Sequence, residues 1–68
     1  MNEKAQAIEA LTRNGYTKTK RDGGSHDLYM NKELKSLIPV SRGTKFDKTD
    51  RDRILQEIRQ ARRRRGLE

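Results

Sequence analysis

The sequence predicts an α+β fold in the order α-β-β-β-α, a three-stranded antiparallel sheet packed on two helices. Three observations carry this expectation. Apolar residues recur at helical spacing near both ends of the chain. Between them lie three short runs of strand-type residues, separated by Gly- and Asn-containing turn signals. Each of these elements has a single apolar side, so all three layers can bury those sides together.

The first helix is expected over Glu3 to Asn14, where Ala5, Ala7, Ile8, Ala10 and Leu11 fall on one side. Gly15 follows, where a helix end wants a residue that tolerates a left-handed backbone. Tyr16 to Arg21 sets Tyr and Thr between basic residues, the pattern of a strand with one solvated face. Asp22-Gly23-Gly24 signals a hairpin, and Ser25 to Met30 a second strand. Asn31-Lys32-Glu33 makes the next turn. Leu34 to Val40 is the third strand, and Pro39 near its end suits an edge position. A polar loop, Ser41 to Lys48, leads to a second helix capped by Asp47 or Thr49. Its apolar stripe is Ile54, Leu55, Ile58 and Ala61. Arg62 to Arg65 close it, where cations suit the helix dipole, and residues 62–68 form a basic C-terminal tail expected to fray. The 68 residues read as one domain, 1–68.

Composition narrows the function classes. Seventeen Lys and Arg against ten Asp and Glu leave a formal charge of +7. That excess favours a polyanionic partner, usually nucleic acid, and is compatible with an acidic protein. A membrane surface fits less well, because the basic residues do not back onto a long apolar helix face. Cysteine is absent, which removes disulfides and thiolate chemistry and suits a reducing cytoplasm. The first ten residues hold Glu3, Lys4 and Glu9 and do not read as a signal peptide. One histidine and scattered carboxylates show no metal-ligand spacing, and no phosphate-cradling glycine loop precedes a helix, so no metal or cofactor is expected. Leu, Ile, Val and Phe together number only 12. With the high charge, that composition also permits a chain partly disordered until it meets an acidic partner, a reading against which the ordered pattern of elements stands.

His26 is the candidate catalytic group. It follows Gly23-Gly24-Ser25 at the mouth of a strand, where a turn can present it to solvent. Metal-independent RNA cleavage needs a base to take the proton from a 2′-hydroxyl, and a free imidazole, with a pKa near ~6.5, suits that task at neutral pH. A lone histidine also reads as a surface or rim residue, and strict alternation puts it on the side of Leu28 and Met30, at the edge of a core. Lys18, Lys20 and Arg21 beside the turn, Ser25 next to the imidazole, and Arg42 and Lys45 in the long loop are candidate RNA contacts; each also reads as solvated surface. Tyr16 and Tyr29 could stack on bases but read better as packing residues. Asp27 adjoins His26 in sequence, yet neighbouring strand residues face opposite ways, which argues against its orienting the imidazole.

From Leu11 to Ile58 the chain resembles the HicA family of toxins from prokaryotic toxin–antitoxin pairs. The resemblance rests on Asn14-Gly15-Tyr16 at the end of the first helix, Gly24-Ser25-His26, the Leu28-Tyr29 step, and Ile38-Pro39-Val40, followed by a helix. It implies a fold like that of double-stranded-RNA-binding domains, which share the α-β-β-β-α order. It also implies a cytoplasmic endoribonuclease that cleaves mRNA and inhibits translation, with His26 catalytic and no cofactor. The implied partners are RNA and a HicB-like antitoxin protein that covers the active face. A non-catalytic RNA-binding module of the same fold is the competing expectation.

Overall fold

A computed structural model describes residues 2–68 and, for residues 21–23, the backbone alone. The chain runs α1 (Glu3–Arg13), β1 (Thr17–Gly23), β2 (His26–Asn31), β3 (Ser36–Ser41) and α2 (Lys48–Arg64), the expected α-β-β-β-α order. The three strands form one antiparallel sheet in the order β1-β2-β3, so β3 with its Pro39 is an edge strand as expected.

Capping chemistry sets the helix ends. Asn2 Oδ1 accepts from the Ala5 amide (2.8 Å) to start α1. At its other end Gly15, with φ +82°, lets the Tyr16 and Gly15 amides reach back to the Leu11 and Thr12 carbonyls. Asp47 caps α2 and exchanges hydrogen bonds with Asp50, resolving the choice between Asp47 and Thr49. The same glycine device ends α2: at Gly66 (φ +73°) the Leu67 and Gly66 amides bond the Arg62 and Arg63 carbonyls. Glu68 then folds back onto Arg59 (3.3 Å) and Arg62 (3.1 Å). Residues 62–68 are thus the last turn of α2 and the glycine cap that follows it.

Register decides which residues face the helices. In an antiparallel ladder, directly opposed residues share a face. Ile38 lies opposite Tyr29, Leu37 opposite Met30, Pro39 opposite Leu28, and Ser41 opposite His26. Tyr29, Asn31, Ser36, Ile38 and Val40 are buried, so this parity faces the helices. Between the Lys18–Tyr29 and Asp22–Asp27 pairs, residues 19–21 stand against Leu28 alone, an irregularity in the β1–β2 ladder. The core joins Tyr29, Leu34, Ile38 and Val40 to Ala7, Leu11 and Tyr16 and to Ile54, Ile58 and Ala61 of α2. Leu55, expected in the buried stripe, is 39% exposed. It sits one residue off the i, i+4, i+7 row of Ile54, Ile58 and Ala61, which is about 100° around the helix.

Two turns differ from expectation. The first hairpin turns at Gly24-Ser25, with Gly23 still paired to His26. Leu34 is buried, but in a turn rather than in β3, because the Asn31 Oδ1 accepts its amide (2.9 Å) and holds the chain in residues 32–35. Asn31 also donates to the Asn14 carbonyl (2.6 Å), joining the two chain reversals at this end of the sheet. Lys35 completes the turn with φ +52°, a conformation glycine adopts more easily.

Two substitutions at left-handed positions have opposite expected signs. Gly15→Ala costs about 1–2 kcal/mol in backbone strain, and its Cβ would stand 3.1 Å from Asn31 Nδ2. Lys35→Gly gains about 0.5–1 kcal/mol, the relief of that strain less the larger entropy of unfolded glycine. Urea denaturation of the two variants checks both signs.

Candidate functional site: an open sheet face at His26

Two helices cover one face of the sheet and leave the other open. The open face carries His26, Leu28 and Met30 of β2 with Leu37, Pro39 and Ser41 of β3. Alternation does group His26 with Leu28 and Met30, as expected, but this group faces away from the core. Tyr29 and Ile38 decide the matter: their packing against Leu11 and α2 forces the opposite parity outward. His26 is half-buried, flanked across the ladder by Gly23 and Ser41, neither of which offers a large side chain to cover it.

Ser25 lies in the turn and brings its Oγ to 3.2 Å from His26 Nδ1. This contact engages one ring nitrogen and leaves Nε2 for other partners. The Arg42 amide donates to the Ser25 carbonyl (2.9 Å), so the start of the long loop is tied to the same turn. Ser25 and His26 are thus brought together by local geometry.

The neighbouring cations behave differently. Asp27 points to the side of the sheet opposite His26. There its Oδ1 accepts from Arg42 Nε (2.8 Å) and its Oδ2 lies 3.8 Å from Lys18 Nζ. Asp27 therefore does not orient the imidazole, as alternation predicts. From β2 it joins a residue of β1 to one in the chain just after β3. Sequence reasoning weighed Asp27 only against His26 and missed this role; the two cations that bracket it across the ladder were the available signal. The Arg42 hydrogen bond, helped by Lys18, holds the Asp27 carboxyl below its ordinary value of 3.8.

Of the other expected RNA contacts, Lys20 and Lys45 are exposed, and neither shares a hydrogen bond or ion pair with His26. The Arg21 side chain lies outside the described residues. Tyr16 and Tyr29 are buried, at 2% and 8% exposure, so neither is available to stack on a base. Tyr16 OH instead donates to Ser36 Oγ (2.8 Å) inside the core. Burial pushes the Tyr29 phenol above its ordinary 10.0, with the Asp27 charge adding to the effect.

Among the described residues, no three of His, Cys, Asp and Glu gather where one metal ion could be held, and no helix is long and apolar enough to cross a membrane. Comparison with family models, curated proteins and solved structures finds no match to this chain. The site must be read from its own geometry.

Because the folded state lowers the Asp27 pKa, the tether stabilises the fold above pH 3.8 and is lost as pH falls through the lower folded value. Titration followed by carboxyl NMR is expected to place Asp27 below 3.8, and Arg42→Ala to move it back up.

Proposed function

We propose that the chain is a metal-independent endoribonuclease acting on mRNA, the toxin component of a HicA-type toxin–antitoxin pair, with His26 as general base. The observation that carries this reading is the position of His26. Its imidazole stands on the open sheet face beside Ser25, within the Gly24-Ser25-His26 run that the resemblance rests on.

The chemistry follows from the free ring nitrogen. With Nδ1–H donated to Ser25 Oγ, Nε2 keeps its lone pair and takes the proton from a ribose 2′-hydroxyl. The 2′-oxygen attacks the adjacent phosphorus, the bond to the 5′-oxygen of the next nucleotide breaks, and a 2′,3′-cyclic phosphate remains. The leaving oxygen takes its proton from the imidazolium or from water. Such acid–base help contributes about 10²–10⁴-fold in rate. Lys18 and Arg42 are occupied by Asp27 on the other side of the sheet. Neither reaches a phosphate at His26 without giving up that pair, so charge stabilisation is weak and the enzyme is expected to be slow.

The same face supports a protein partner of the HicB type. Leu28, Met30, Leu37 and Pro39 form an apolar row next to His26, with Leu37 44% exposed. An antitoxin that covers this row would bury both the apolar surface and the imidazole. The action is proposed for the cytoplasm, where mRNA is found. The sequestration of Lys18 and Arg42 favours the competing reading, a non-catalytic RNA-binding module.

One pair of measurements separates them. Wild-type protein in EDTA-containing buffer is expected to cleave single-stranded RNA to cyclic-phosphate ends, and His26→Ala to lose cleavage by about 10²-fold or more while still binding. RNA that is bound but left intact by the wild type would establish the binding module instead.

A further inference from the structure

A group of exposed cations gathers at the end of the molecule away from His26, in addition to Lys20 and Lys45. The two helices run side by side in the same direction. Arg51 Nη1 donates to Gln6 Oε1 (2.8 Å) near their starts, and Arg62 Nη1 to Asn14 Oδ1 (3.3 Å) near their ends. β2 runs from His26 to Asn31 toward that same far end, and the 32–35 turn follows it. Lys35 and Arg64, with Glu57, line a cleft of about 330 Å³ there, while Lys32 and Arg62, with Glu33, line a second of about 500 Å³. Leu34, buried in the core, anchors the turn that carries both lysines.

Lys32, Lys35, Arg63, Arg64 and Arg65 are all exposed, and none is in an ion pair among the described residues. Their number exceeds what the fold needs. Two helix C-termini contribute about −0.5 charge each, and Arg59 and Arg62 already neutralise Glu68. Lys35 adds a second indication. It keeps a cation at φ +52°, where glycine would be less strained.

We infer that this end of the molecule is a docking site for the phosphate backbone of single-stranded RNA, remote from His26. The inference rests on RNA being the substrate class, but not on cleavage. Guanidinium forks match phosphate oxygens. The buried tyrosines leave no aromatic anchor here of the kind that centres a protein interface. His26 and Asn31 are the ends of β2, five residues and about 17 Å apart. Only an RNA long enough to span that distance engages both sites.

The test uses the full chain carrying His26→Ala, so that RNA survives, with and without Gln at all five positions. Binding of an unstructured RNA of about 20 nucleotides is followed by fluorescence anisotropy across a salt series. At ~0.7 per phosphate contact for single strands, the five substitutions are expected to flatten the log–log salt slope by about 3 and weaken binding by roughly tenfold or more. In the catalytically intact background they are expected to leave cleavage of a dinucleotide unchanged, because its single internucleotide step cannot span the two sites. Lys35→Gly alone is expected to bind more weakly while melting at a higher temperature, which separates lost contact from lost fold. An unchanged slope and affinity overturn the inference. So does a loss confined to phosphatidylserine vesicles or polyglutamate, with RNA binding intact. Failure of the nuclease reading is seen separately, as absent cleavage by the wild type with the binding difference preserved.

Discussion

The structure depends on burial of one face of the sheet only. Ile38, Val40 and Tyr29 share one core cluster with Leu11, Ile54 and Ile58. Antiparallel pairing then transmits the choice across the ladder. Once Ile38 faces the helices, Tyr29 must follow, and His26, Leu28 and Met30 are turned to the other side. The exposure of the imidazole is thus a consequence of core packing, not of the glycine turn alone.

A core this small contributes only modest net stability. Leu28, Met30, Leu37 and Pro39 lie on the face that the helices leave open, and only Leu37 among them is exposed rather than half-buried. Asn31 shows how the chain uses polar groups instead. It is 6% exposed, yet its side chain bonds both the Asn14 carbonyl and the Leu34 amide, so its burial carries no unsatisfied group. Gly15 stands against it, and the pair fixes the end of α1 to the end of β2.

Charge is distributed by a similar economy. Near His26, Asp27 draws Lys18 and Arg42 together on the helix side. At the opposite end, the 32–35 turn and the last turn of α2 bring cations to the same clefts as Glu33 and Glu57, with no ion pair to them among the described residues. Net charge alone suggests a uniformly basic surface. The fold pairs two of the cations with Asp27 and leaves others, Lys20 and Lys45 among them, exposed.

The order of elements, the glycine stop after Asn14, the edge position of the Pro39 strand and a cap at Asp47 or Thr49 were legible in the sequence, because periodicity, capping and turn chemistry act over a few residues. The same local rules placed Ser25 beside His26 and set Asp27 against it. Other features needed the tertiary structure. Alternation sorts strand residues into two sets but does not say which set meets the helices, and here the apolar-looking Leu28 and Met30 lost to Tyr29 and Asn31. Leu34 fell in a turn because a side chain from Asn31 outcompeted the ladder for its amide. The pairing of Arg42 with Asp27, and the placing of Lys35 and Arg64 on one cleft, bring together residues 15 and 29 positions apart in the chain. Such contacts are decided by how the layers stack, and no local rule reaches that far.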